Sequence, residues 1–387
     1  MKHVFYNEHM FSFLKKHKEE TTTCICLVTG SVVTGSVVRT YQRRDAVVEP
    51  VVLFSCEEEI SADYGDSREV IDTLAQKAML RVLEKCRSYY GSFDAMKCII
   101  GEPWVITKYR KITIEKNIPF TVTQKIINEA IQRDMRLFEQ EILRDFEDKE
   151  EVAIIDISKP VFFINGYKTV AWEKKTIKKI EIAQTIALAP VATVEMIMTT
   201  YADVFHTDDV TIAAYSHSLS SVCSSSSRNQ TVVVVGNTVI DFYNIDQGVI
   251  TQSLSYQGGI SDMIRILELS FDIPQHKIKT VFDFIHDENI LEHYRDSYTT
   301  RLMNSYKALG DQLQKNVLHA KKQGMEISDP LILVTHYPWM NIFQGLLDRD
   351  LGSSVVFPPN ITTEIIYTQD AKVRDSMHKI AIRGTYK

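Results

Sequence analysis

Several things are scarce in this chain. Of 387 residues only 15 are glycine and 10 are proline, which excludes collagen-like, low-complexity and linker-dominated architectures. Cations do not predominate: 44 Lys and Arg stand against 50 Asp and Glu, a net charge of -6. A nucleic-acid footprint is usually basic and clustered, so that class of partner is not expected. The six cysteines (Cys24, Cys26, Cys56, Cys86, Cys98 and Cys223) contain no CxxC pair. They are too sparse for a disulfide framework and are expected as reduced, buried thiols of a cytosolic chain. Cys24 and Cys26 share one strand face, which makes a metal pair conceivable; plain burial is the simpler reading, since free Cys is among the most buried residue types. No apolar run reaches the roughly 20 residues that cross a bilayer. The best stretch, Thr185 to Met198, is broken by Pro190 and Glu195. Met1 to Glu20 lacks the continuous apolar segment of a signal peptide. A membrane role would therefore come through a partner or a surface helix.

What is present is an ordinary globular composition, 44% hydrophobic and 24% charged, over a length that allows two to three domains. The most informative stretch runs from Thr231 to Asp262. A buried apolar strand, Val232 to Val235, meets a tight turn at Gly236-Asn237 and returns. A second turn follows at Asp246-Gln247-Gly248, and a third strand ends at Gly258-Gly259. Such a β-meander can bring backbone N–H groups to a phosphate. A fainter copy lies at Cys24 to Val38, with Gly30 and Gly35 in its centre. Two copies suggest related half-molecules facing each other across a cleft.

Between these copies the order of elements is informative. Thr22 to Tyr41 reads as a hairpin and Val47 to Cys56 as a strand. Arg68 to Tyr89 is a helix with Val70, Ile71, Leu74, Ala78, Met79, Val82, Leu83 and Cys86 on one face. Ala95 to Gly101 is a buried strand. The character then changes over Val105 to Leu188. A strand (Val105 to Ile114) precedes Pro119, and Thr121-Val-Thr-Gln124 fits a capping box for a charged helix reaching about Asp148. A strand at Val152 to Ile157 is followed by a hairpin, Val161–Ile164 and Tyr167–Trp172, turning at Asn165-Gly166. That dipeptide is the strongest short-range hairpin signal. Lys178 to Ala187 closes this unit, β-α-β-β-β. Helix Ala192 to Phe205 and strand Val210 to Ala214 follow. The tract Cys223 to Arg228 reads as a polar connector, with a surface loop and an interlobe hinge both open. Ile260 to Gly324 is mostly helical, Pro330 to Thr335 is a buried strand, and Met340 to Leu351 is a helix.

This order resembles the FtsA/PilM family of bacterial actin homologues, which act in cell division and type IV pilus assembly. The resemblance spans Thr22 to Leu351 and is carried best by Ile164-Asn165-Gly166-Tyr167, similar to the "LNGY" hairpin of the family's inserted subdomain, called 1C or SHS2. It implies an α/β fold, two-lobed and actin-like (ribonuclease H-like), with the β-α-β-β-β insert. The implied divisions are a helical extension at 1–20, a first lobe at 21–104 and 189–223, the insert at 105–188 and a second lobe at 229–387. The implied nucleotide site draws on Gly30 and Ser31 in phosphate-1, and on Gly236, Asn237, Thr238 and Asp241 in phosphate-2. Gly258 and Gly259 close the meander, and Thr335 ends the adenosine-motif strand.

The departures from the family's pattern are chemical. Phosphate-1 reads Val28-Thr29-Gly30 where active members carry Asp-x-Gly, and phosphate-2 reads Val234-Val235-Gly236. The lost aspartates are those that would hold hydrated magnesium and orient the attacking water, which valine cannot do. The adenosine strand runs into His336-Tyr337-Pro338 instead of Gly-Gly, which brings bulk where backbone should approach. No catalytic residue and no metal site are assigned. Asp241 is either a magnesium or hinge residue or an ordinary turn cap. His336 reads as packed or capping, since no ligand partner sits at zinc-like spacing. The cluster His286, Asp287, Glu288, Glu292, His293 reads as a solvated face. Ser224 to Ser227 with His217 lack a nucleophile elbow.

The expectation is a cytoplasmic scaffold at the inner-membrane face, non-catalytic or weakly nucleotide-binding. ATP with magnesium stays open as a cofactor, with none preferred. The resemblance implies a partner peptide from a membrane protein beside the insert, with Asn165, Gly166, Tyr167 and Lys168 as candidate contacts, or a filament protein on the second lobe; self-association stays open. The rival is a small-molecule kinase or ATPase of the same superfamily, which would need a carboxylate base in the cleft. The C-terminal stretch Asp375 to Lys387 lacks the amphipathic tail typical of FtsA, which leans the reading towards PilM.

Overall fold

The computed structural model describes residues 20–30, 32–41, 50–60, 67–145, 151–223, 229–236, 238–274, 277–278, 300–301, 307, 310–312, 315–327 and 331–335. Strands β1 (Glu20–Val28), β2 (Val32–Tyr41), β3 (Val51–Glu59) and β4 (Ala95–Ile100) join β10 (Thr211–Ala214) in one sheet of order β10-β4-β1-β2-β3. Strands β11 (Gln230–Val235), β12 (Val239–Asp246), β13 (Val249–Gln257) and β14 (Leu331–Thr335) form a second sheet of order β13-β12-β11-β14. The two share one plan. An antiparallel meander comes first, and its first strand then takes a parallel neighbour from further along the chain, β4 in one case and β14 in the other. The duplication read from the glycine-centred turns is thus a duplication of topology.

Residue alternation on β1 decides where the layers lie. Cys24, Cys26 and Val28 face one side, where they pack with Val82, Cys86, Ile197 and Tyr201. Those partners belong to helices α1 (Arg68–Tyr89) and α3 (Val191–Phe205). Ile25 and Leu27 face the other side and share a cluster with Val232, Val234 and Tyr243 of the second sheet. Because side chains on a strand alternate, β1 is apolar on both faces and lies at the centre of the fold. Helix α1 starts at Ser67, whose hydroxyl accepts from the Val70 N–H, and carries Glu69 in its first turn and Arg87 in its last, as the helix dipole favours. It lies close on β2 because Gly35 has no side chain; a Cβ there would stand 2.4 Å from Val82 Cγ1.

The segment between β4 and α3 builds its own sheet, order β5-β9-β7-β8, from β5 (Ile106–Thr121), β7 (Val161–Ile164), β8 (Tyr167–Thr169) and β9 (Thr176–Pro190). Strand β6 (Val152–Ile157) pairs with the far end of β9; all five strands named from the sequence are present, so the order is β-α-β-β-β-β, one strand more than the β-α-β-β-β formula counts. Helix α2 (Gln124–Asp145) buries Ile127, Met135 and Phe138 against this sheet. Arg110 is held between Asp134 (2.8 Å) and Glu141 (2.7 Å). Asn165 and Gly166 have φ of 54° and 82°, the left-handed pair that a type I′ hairpin requires.

Several expectations are corrected. β5 does not stop before Pro119; it runs to Thr121 by way of a bulge, its register against β9 jumping between Glu115 and Phe120. The proline is tolerated because the bulge needs no N–H at that point. The cap of α2 is Thr123, which accepts from the N–H groups of Ile126 (hydroxyl, 3.4 Å) and Ile127 (carbonyl, 3.2 Å). Thr121 belongs to the strand and its hydroxyl meets Thr176. β3 runs past Cys56 to Glu59, β8 stops at Thr169, and β9 extends beyond Lys178 to Ala187 at both ends. Helix α4 (Tyr215–Cys223) was not anticipated. It is buried nearly all round, so it has no amphipathic period to read. The N-terminal extension before Glu20, the serine tract 224–228, the cluster from His286 to His293, His336, Tyr337 and the helix expected at Met340 to Leu351 lie outside the described residues.

Candidate functional site

The carboxyl ends of β1 and β4, the start of α4 and the β11–β12 turn converge on one cleft. Its lining includes Gly30, Glu102, Tyr215, Val234, Gly236 and Asp241. The cavity measures about 20 Å³, room for about one water molecule. Two acids from opposite sheets dominate it. Asp241 is 4% exposed, lies within β12 opposite Val234 and Ser255, and accepts a 2.6 Å hydrogen bond from the Ser255 hydroxyl. It is therefore neither a turn cap nor a residue after the strand. Burial pushes its carboxyl from the ordinary 3.8 up to about 7, with the Ser255 bond pulling the other way. Burial also raises Glu102 well above the usual carboxylate range, the Asp241 charge adds to this, and the Arg68 guanidinium opposes it. Tyr243, beside them, is raised by burial and then by both acids.

The glycine turns that would cradle phosphate have their amides turned inward. The Gly30 N–H donates to the Glu102 carbonyl at 3.1 Å, and the Gly236 N–H to the Val239 carbonyl at 2.9 Å. The Gly258 N–H donates to the Thr238 carbonyl at 3.0 Å, and the Ile260 N–H to that of Gly236 at 3.0 Å. Gly258 (φ 122°) and Gly259 (φ 155°) lead into α5 (Ile260–Phe271). Val28 and Val234, which stand at the expected aspartate positions, are 1% and 3% exposed and are core residues. Thr238 is exposed, and the Thr335 backbone pairs with Val235 at the end of β14. Ser31 and Asn237 lie outside the described residues.

The structure thus brings Gly30, Gly236 and Asp241 to one place, with Gly258 and Gly259 at the neighbouring strand end. Glu102, Tyr215 and Tyr243 were missed. The available signal for Glu102 was an acid just after the apolar run Cys98 to Ile100 and Gly101, where a sheet's carboxyl edge meets a cleft. The candidate partner residues lie elsewhere. Asn165 and Gly166 form the β7–β8 turn, and Tyr167 is 78% exposed. Lys168 is not a free edge charge: its ammonium donates to the Gln247 carbonyl in the β12–β13 turn. The insert also meets the second lobe where the Ser253 hydroxyl donates to the Thr107 carbonyl at 3.1 Å. It meets the first lobe where Asp156 accepts from the Ala214 N–H and pairs with His217 at 2.9 Å. Among the described residues no group of three or more His, Cys, Asp or Glu is arranged to hold a metal ion.

Two duplicated sheets facing each other across glycine turns define an actin-like ATPase fold. The comparison with solved structures agrees. The chain is similar to a PilM-PilN type IV pilus biogenesis complex at TM-score 0.51 and 11% identity, over 86% of each chain. It is also similar to the ethanolamine utilization protein EutJ from Carboxydothermus hydrogenoformans (TM-score 0.43, 10% identity, 86% of this chain and 81% of that one). A third similar structure is the activator of the 2-hydroxyisocaproyl-CoA dehydratase from Clostridium difficile, at TM-score 0.39 and 9% identity over 95% and 93%. No protein family matches the sequence, and no characterised protein matches it by sequence.

The ligand implied by this fold is ATP with magnesium. The described groups, as arranged here, do not fit it. A triphosphate is far larger than a cavity of about 20 Å³, the turn amides named above are already engaged, and the cleft is lined by two carboxyls, which repel a phosphate when ionised.

Proposed function

We propose that this chain is a scaffold of the FtsA/PilM kind that links an inner-membrane apparatus to cytosolic parts through protein contacts. It is non-catalytic or only weakly nucleotide-binding. The observation that carries the reading is the make-up of the cleft: valine at both metal-linked positions, and a buried Asp241 beside a partly buried Glu102, both with raised proton affinity. The occurrence of the same fold in a PilM-PilN type IV pilus biogenesis complex supports a pilus-assembly role over a division role. In this reading 21–104 with 189–223 form lobe one, 105–188 the insert and 229–387 lobe two. The protein works in the cytoplasm at the membrane face. A partner's extended segment adds to the outer edge of β8 beside Tyr167, where main-chain bonds give affinity and side-chain pockets give selectivity.

One observation favours the rival reading, a small-molecule kinase. Asp241, with its carboxyl near 7, has the proton affinity of a general base. The two readings part in one experiment on the full chain: ATP titration by calorimetry together with magnesium-dependent phosphate release. The scaffold reading expects turnover at background. Release at about 0.01 per second or faster, the rate of slow NTPases, that is lost in Asp241→Asn would overturn the scaffold reading in favour of an active enzyme of the kinase or ATPase kind, with water as the phosphoryl acceptor in this assay.

A further inference from the structure

At the distal end of the insert, the close of β5, the start of α2 and the loop before β9 bring five exposed lysines together. Residues 116–119 leave the β5–β9 ladder as a bulge, opposite Lys178. The loop carrying Lys174 and Lys175 is tied to the α2 entrance by two backbone bonds with Val122, each 2.9 Å. Lys125 sits in the first turn of α2, which contains no acid, so the positive end of the helix dipole adds to the lysines. Lys116 lies 4.7 Å from the centre of the Phe120 ring, which leaves its neighbours to form the apex. That apex is Ile118, 78% exposed, followed by Pro119. The nearby acids are Glu115, Glu129 and Glu173, all exposed, and the five lysines outnumber them.

Lysines, a bulge and a proline on an edge strand are a common defence against strand addition. That role explains the charges but not the isoleucine. An almost fully exposed β-branched side chain at the apex works against the defence and promotes association. Lysines surrounding a protruding apolar side chain fit a surface that is anionic outside and apolar beneath. We infer that the distal tip of the insert docks on an anionic lipid bilayer, with the lysines against the headgroups and Ile118 entering the interface. An acidic peptide would use the same charges, but it would need a groove for its side chains, and here the central apolar side chain is itself exposed. The inference goes beyond the scaffold reading and does not depend on it, because pure lipid is enough to test it.

The test is co-sedimentation of the full-length protein with vesicles of phosphatidylcholine alone and of phosphatidylcholine and phosphatidylglycerol in equal parts. Binding is expected to the mixed vesicles only and to weaken as salt rises. Each lysine near an anionic surface contributes about five-fold in affinity, so K174E/K175E, checked for folding by circular dichroism, is expected to lose at least about 25-fold. Ile118→Asp is expected to lose about ten-fold or more, from the apolar area withdrawn. A role confined to edge defence leaves vesicle binding absent in every variant. Equal binding to neutral vesicles, no binding to the mixed ones, or binding unchanged by both variants would overturn the inference. Capture by immobilised poly-glutamate without vesicle binding would overturn it in favour of an acidic protein partner.

Discussion

Asp241→Asn is the most exacting test of the cleft. The aspartate has an ordinary pKa of 3.8 in the unfolded chain and about 7 in the folded one. Between those values the folded protein binds more protons than the unfolded, so stability falls as pH rises through this window. Below about pH 4 both states are protonated and the penalty is absent; above about pH 7 it is complete. At about 1.4 kcal/mol per pKa unit the full penalty is about 4 kcal/mol, comparable with a large share of a domain's net stability. Asparagine keeps an oxygen to accept the Ser255 hydroxyl but cannot ionise. The variant should therefore match the wild type near pH 4 and exceed it at pH 8 by several kcal/mol, and the difference curve should rise mainly between pH 5 and 7. Urea unfolding followed by circular dichroism across this range measures it. The Asp241 charge raises Glu102, so removing one charge also eases ionisation of the other, and Glu102→Gln should give a curve of the same sign. If wild type and Asp241→Asn lose stability in parallel from pH 5 to 8, Asp241 is not held out of water, and the closed arrangement described here is wrong.

Three further outcomes follow from the packing. Gly35→Ala puts a methyl 2.4 Å from Val82 Cγ1 and 2.9 Å from Cys86 Sγ; overpacking of this kind should cost about 1–3 kcal/mol in denaturant unfolding. Gly166→Val, at φ 82°, should cost roughly 1 kcal/mol or more and loosen amide protection of β7 and β8 before that of β9. Arg110→Ala leaves Asp134 and Glu141 without their shared guanidinium. Since Arg110 is 18% exposed, the loss should be about 2–3 kcal/mol, visible as a lowered denaturation midpoint with an unchanged slope.

Local chemistry made part of this fold legible. Val232 to Val235 with a Gly-Asn turn can hardly be anything but a strand entering a hairpin, and Asn165-Gly166 placed its turn to the residue. The long helix at Arg68 announced itself by apolar residues at steps of three and four, and the charged one at Gln124 by the threonines that precede it. What escaped was non-local. Helix α4 is coated by core on every side, so with Ser216, Ser218 and Ser220 among its buried residues it offers no apolar stripe to read. Thr121 and Thr123 both offered a cap, and only the continuation of β5 to Thr121, across a bulge, decided between them. The cleft was half legible: the glycines and Asp241 could be named from their turns. Glu102 acquires its role only because a parallel strand carries it beside Asp241, which is 139 positions later in the numbering.

The shared plan of the two sheets has a consequence for how the chain is made. In each, the parallel neighbour arrives late: β4 after the whole of α1, and β14 after β12, β13 and α5. During synthesis from the N-terminus the first sheet can complete its β1–β4 pairing early. The buried valine strand β11 must wait with one edge bare until β14 leaves the ribosome. An uncovered strand of consecutive valines is a template for pairing with other chains, so aggregation during expression should track the delay before β14 emerges. Truncations that remove Leu331 to Thr335 should be the least soluble forms of this protein.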